Sequence, residues 1–124
     1  MKEKKLFTKV GIPLYHADIA ISLAQTKQEL DKSMSEFVLD KKDYEIGELG
    51  RAIKLGKAGP YLLWVKYYPD SPKNLAVLLH ELHHITNFIL QDRDIIFSHE
   101  SEEAFTYLFE YMAQEILTEL KYKL

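Results

Sequence analysis

Residues 71–90 read SPKNLAVLLHELHHITNFIL, and the rest of the chain is best read outward from them. Ser71 followed by Pro72 predicts a helix start, because a serine hydroxyl can cap the free amides of a first turn and proline, which has no N–H, suits the first helical position. From about Lys73 to about Leu90 the apolar residues recur at helical intervals. Leu75, Leu78, Leu82, Ile85 and Ile89 form one stripe, His80 and His84 fall on roughly the opposite side, and Val77 and Phe88 flank the histidines. Apolar residues on both flanks predict a central, mostly buried helix whose histidines face a cleft.

His80 and His84 are four residues apart, which on a helix sets two imidazoles on one face, one turn apart, where they can grip a single ion. Glu81 lies about 100° round the helix from His80, placed to reach a water on that ion without binding the ion itself, so it is the candidate general base. The chain has no cysteine, and any metal must be held by His, Asp or Glu. Zinc suits imidazole and carboxylate donors, and three protein ligands leave a fourth position for water. The third ligand must come from elsewhere. His99, Glu100, Glu102 and Glu103 cluster downstream; Glu103 is the first choice, with Glu102 and His99 as alternatives. Glu102 and Glu103 also have a simpler explanation, since the helix dipole favours carboxylates in any first turn. His83 is expected to be a supporting or surface residue, and His16, alone in a strand, a structural one.

Further from the motif, residues 14–24 (LYHADIAISLA) alternate with period two and predict a strand. In 26–37, Thr26 and Glu29 have capping-box spacing, and Leu30, Met34 and Phe37 follow at helical intervals. Residues 40–60, with Gly47, Gly50, Gly56, Gly59 and Pro60, predict turns around a short strand at 51–55. YLLWVKYY at 61–68 predicts a strand, and a final helix is expected from about Ser101 to Lys121. The order β, α, β, β, α, α indicates a single α+β domain over 1–124, its small sheet packed on one side of the motif helix.

Composition excludes several functions. Apolar residues make up 47% of 124 and charged residues 28%, the balance of a chain with a real core. The net charge of −3, with 16 basic and 19 acidic residues dispersed, offers no field for nucleic acid or an anionic membrane, and Lys2, Lys4 and Lys5 are expected only to solubilise the terminus. The apolar stretches near the start are broken by Lys9, His16 and Asp18, so no export signal or membrane span is expected, and the chain is expected in the cytoplasm.

LLHELHHI resembles the active-site helix of the zincin metallopeptidases, in particular compact gluzincin-type proteins in which a glutamate on a later helix follows HExxH. SEEAFTYLFEYM also resembles the Glu-x-x-Ala-Tyr stretch of small HExxH proteins of phage and bacterial genomes, with Glu103, Thr106 and Tyr107 in the matching places and Thr106 where alanine is usual. The likeness covers about residues 60–112. It implies a compact minimal zincin-like domain with Zn2+ on His80, His84 and Glu103, a zinc-bound water as nucleophile and Glu81 as its base. It also implies a peptide or protein substrate paired along an edge strand, for which 61–68 is the expected one. The oxyanion donor is expected from Tyr107, with Tyr111 and His83 as alternatives. Two other readings compete: a non-catalytic interaction protein of the same fold, and a di-iron protein using Glu81-x-x-His84 and Glu100-x-x-Glu103 in a four-helix bundle.

Overall fold

The computed structural model describes residues 6–36, 49–54 and 60–121. Expectations that fall on Lys2, Lys4, Lys5, Phe37, Gly47, Leu55, Gly56 and Gly59 lie outside these residues. In chain order the elements are β1 (Leu6–Ile12), a short 3-10 turn (Pro13–Tyr15), β2 (Ala17–Leu23), α1 (Lys27–Glu36), β3 (Gly50–Lys54), β4 (Tyr61–Val65), α2 (Pro72–Asp92) and α3 (Glu102–Glu119). The four strands form one sheet in the order β1-β2-β4-β3. The class is α+β with a mixed sheet, and the described residues do not form the four-helix bundle that the di-iron reading requires.

β1 was not anticipated from the sequence. It pairs antiparallel with β2, Leu6 opposite Leu23 and Ile12 opposite Ala17. The pairing brings Val10 and Ile12 into the core beside α3, where both are buried. The strand expected from residue 14 begins at Ala17 instead, because Pro13–Tyr15 coil into the 3-10 turn and His16 closes the hairpin with a left-handed φ of 52°.

β2 and β4 run parallel, Ile19 opposite Tyr61 and Leu23 opposite Val65, with α1 in the connection between them. Both helix starts in this region form as the sequence predicts. The Glu29 amide donates to Thr26 Oγ1 at 3.2 Å, while the Glu29 carboxylate accepts from the Gln25 amide at 2.9 Å. Ser71 Oγ accepts from the Asn74 amide at 3.1 Å above α2.

The expectation that 61–68 is an edge strand is corrected: β4 is paired on both sides, parallel to β2 and antiparallel to β3, and it ends at Val65. Every residue from Tyr61 to Val65 is buried. Tyr61, Leu63 and Val65 join the core under α2 and α3, whereas Leu62 and Trp64 alternate onto the opposite face. An unbroken apolar run marks a strand covered on both faces, and an edge strand would rarely need one. Trp64 Nε1 donates to the Ala24 carbonyl at 2.8 Å, tying β4 to the end of β2.

On α2 the buried residues are Leu78, Leu82, Ile85, Thr86, Ile89 and Leu90, but His80, His83 and His84 are exposed. The helix is thus buried on one side only. It lies on β3 and β4 with α3 beside it, where Phe105, Leu108, Met112 and Ile116 turn inward.

A charged clasp closes the far end of α2. Asp92 accepts from Lys54 Nζ at 2.6 Å and from the Tyr61 hydroxyl at 2.5 Å, and Arg93 donates to that hydroxyl at 3.2 Å and to the Tyr15 carbonyl. Burial alone would raise the Asp92 pKa, but the hydrogen bonds from Lys54 and Tyr61 and the charges of Lys54 and Arg93 outweigh it and hold the carboxyl below its usual range. Burial first, and then the Asp92 carboxylate, push the Tyr61 hydroxyl up to about 12. A carboxyl depressed on folding stabilises the fold above its unfolded pKa, and that contribution is lost as pH falls through the folded value. Asp92→Asn is therefore expected to cost about 1–3 kcal/mol at neutral pH, because it strips a charged acceptor from two donors. In chemical denaturation the gap to the parent should close as pH drops below the ordinary carboxylate range; a gap independent of pH would mean the clasp works by shape alone.

Candidate metal centre

The exposed face of α2 brings His80, Glu81 and His84 together. One ligand atom from each lies within 4.8 Å of the other two, with both histidines exposed and Glu81 half-buried. The rings of His80 and His84 stand edge to face, centroids 5.0 Å apart and planes at 79°. Phe88 stacks near His84 at 6.5 Å and 25°, giving that imidazole an apolar backing one turn further on. His83 turns aside and packs on Phe105 of α3, centroids 4.9 Å apart.

Beside the cluster runs a cleft of about 560 Å³ lined by Leu49, Gly50, Lys73, Ala76, Val77, His80 and Glu81. Its wall away from α2 is the start of β3, the edge strand on this side of the sheet. Gly50 lets the two elements meet this closely. A Cβ there would stand 3.0 Å from the Trp64 carbonyl oxygen, 3.1 Å from Val77 Cγ1 and 3.2 Å from Glu81 Cγ, all tighter than ordinary contact. The sequence reads Gly50 as a turn residue before a strand at 51–55, whereas it is the first residue of β3 and the point where strand backbone approaches the candidate base.

Lys73 is the site residue that sequence reasoning missed. It precedes His80 by seven residues, two turns of helix, so it shares the face of the histidines. Such a spacing is a usable signal, but it means little until a cleft is known to run along that face.

The downstream candidates are placed differently. Glu102 and Glu103 are exposed in the first turn of α3, and His99 and Glu100 are exposed in the turn before it. None belongs to the group formed by His80, Glu81 and His84. The entry to α3 is held by Ser101, whose hydroxyl donates to the Ile96 carbonyl at 2.6 Å and accepts from the Ser98 amide at 2.8 Å, so it does not cap the helix. Phe97 and His83 both pack on Phe105, which fixes this loop against α2.

Tyr107 and Tyr111 line a second, largely apolar cleft of about 530 Å³ with Ile12, Pro13, Leu14, Tyr15, Ala104 and Leu108. The two clefts share no residue, so neither tyrosine lines the cleft that holds His80 and Glu81. No helix among the described residues is long and apolar enough to cross a membrane. Comparison with protein-family models, curated proteins and solved structures found no match to this chain, and the functional reading therefore rests on the residues themselves.

Proposed function

We propose that this chain is a zinc-dependent peptidase whose centre is built on α2. The observation that carries the reading is the convergence of His80, Glu81 and His84 within 4.8 Å on an exposed helix face beside the edge strand β3. The donor set fits the ion: two imidazoles one turn apart and a nearby carboxylate suit zinc, in a chain with no thiolate to compete. His80 and His84 would hold it, and the resemblance supplies Glu103, which stands outside that group in the first turn of α3, as third ligand. When bound, such a cation supplies Lewis acidity toward water and a carbonyl oxygen.

The remaining work falls to the chain. Glu81, half-buried against Gly50, accepts a proton from the attacking water and hands it to the departing amine, which a carboxylate can do only within hydrogen-bond reach of both. β3 offers its outer edge, unpaired among the described residues, to the main chain of an extended peptide, which aligns the substrate with backbone hydrogen bonds. Tyr107, on the other cleft, has no part in this scheme. Metal analysis together with a broad peptide-cleavage assay tests the reading. One zinc per chain and cleavage abolished by a chelator are expected; a chain that binds no zinc, or that carries two irons, would refute it.

A further inference from the structure

Among the residues lining the cleft beside the candidate centre, charge is carried at two ends. Glu81 stands at one and Lys73 at the other, with Gly50, Ala76 and Val77 between them. Lys73 is exposed and, among the described residues, its ammonium has no hydrogen-bond or ion-pair partner. Its place on the helix is fixed. Seven residues separate it from His80, a rotation of about 700° that returns to within about 20° of the same face and a rise of about 10.5 Å along the axis.

We propose that Lys73 is the specificity residue of this cleft and selects peptides bearing a carboxylate about three residues from the scissile bond. This rests on the peptidase reading above. The cleft is lined along α2 from Lys73 to Glu81, and for an extended peptide lying along it, advancing about 3.3 Å per residue, the rise of about 10.5 Å from His80 to Lys73 spans about three residues. The two charges also act in opposite senses. Glu81 repels a carboxylate placed at the centre while Lys73 attracts one placed away from it, so the two charges favour one direction of an acidic peptide along the cleft. The apolar stretch between them accommodates uncharged side chains. The carboxylate is either an Asp or Glu side chain or the terminal carboxylate of a peptide that ends at that position.

The test uses the full chain loaded with zinc and peptides that are uncharged except for one Glu, walked from three residues before the cleaved bond to three after it. A second series ends at the favoured position with a free or an amidated terminus. For the parent, kcat/KM should peak with the carboxylate about three residues to one side of the bond, and the peak should flatten as salt is raised, as expected for an exposed charge. Lys73→Gln should reduce the peak about fivefold, Lys73→Arg should retain it, and Lys73→Glu should turn the preference into a penalty, each read as the ratio of kcat/KM for the Glu-bearing peptide to that for the uncharged peptide cleaved by the same variant. These substitutions sit on an exposed first turn where even Glu suits the helix dipole, so folding is not at stake. Loss of the preference on amidation names the terminal carboxylate as the ligand, and its survival names the side chain. A parent that cleaves peptides without positional preference, or a Lys73→Glu variant that keeps the preference, overturns this inference and leaves the peptidase reading intact. A zinc-loaded parent that cleaves no peptide at all overturns both.

Discussion

Glu81→Gln is expected to lower kcat/KM for peptide hydrolysis by about 10²- to 10⁴-fold while zinc content and the unfolding midpoint stay at parental values. The amide matches the carboxylate in size, so the contacts that Glu81 makes beside Gly50 and Val77 are kept. It cannot accept the proton. His80 and His84 are untouched, and the ligand pair on the helix face remains. The decisive comparison is steady-state cleavage set against metal content for the same preparations. Activity that survives in a zinc-replete Glu81→Gln would remove the carboxylate from the chemistry. Activity lost together with zinc would instead make Glu81 part of the ion's support.

The second large effect is expected from Glu103→Ala, which should weaken zinc binding roughly a hundredfold or more. Apparent zinc affinities of about 10–16 kcal/mol in small structural sites are shared among about four ligands, so one ligand accounts for at least about 2–3 kcal/mol. A first-turn carboxylate with no ligand role would affect only helix stability, by about 0.3–1 kcal/mol. Glu102 provides the control. It is also exposed in the first turn of α3, but about 100° away round the helix, so it leaves that turn in a different direction from Glu103. Titrating zinc into Glu102→Ala, Glu103→Ala and His99→Ala side by side separates the alternatives. Parental affinity in Glu103→Ala with a loss in either of the others would transfer the ligand role to that residue.

Much of what positions α2 was legible because it is local. Ser71 and Pro72 act within one turn, Thr26 and Glu29 cap α1 across three residues, and the spacing that brings His80, Glu81 and His84 together is the helical repeat itself. The apolar stripe was equally plain: Leu78, Leu82, Ile85 and Ile89 are buried, and Leu75 at its start is half-buried against the same core. The exposed histidine face was misjudged. Val77 and Phe88 are only half-buried at its margins, whereas the sequence alone suggested cover on both sides. Hydrophobic periodicity counts the apolar residues round a helix but does not say how many neighbours arrive to cover them.

The sequence by itself determined the helices, their starts and the three-residue cluster, since each depends on groups within four residues of one another. Only the tertiary structure decided which strand lies at the edge, because sheet order is a contest among pairings distant in the chain: Leu6 with Leu23, Ile19 with Tyr61, Lys54 with Tyr61. From that order came the cleft between Gly50 and Glu81, the alignment of Lys73 along it and the separation of Tyr107 into another cleft. The clasp joining Asp92 to Lys54, 38 residues away, and Arg93 to Tyr15, 78 residues away, has the same origin. Contacts at such separations must overcome loop-closure entropy, and whether they form depends on the whole apolar surface buried with them, a sum over the fold that no single stretch of sequence contains.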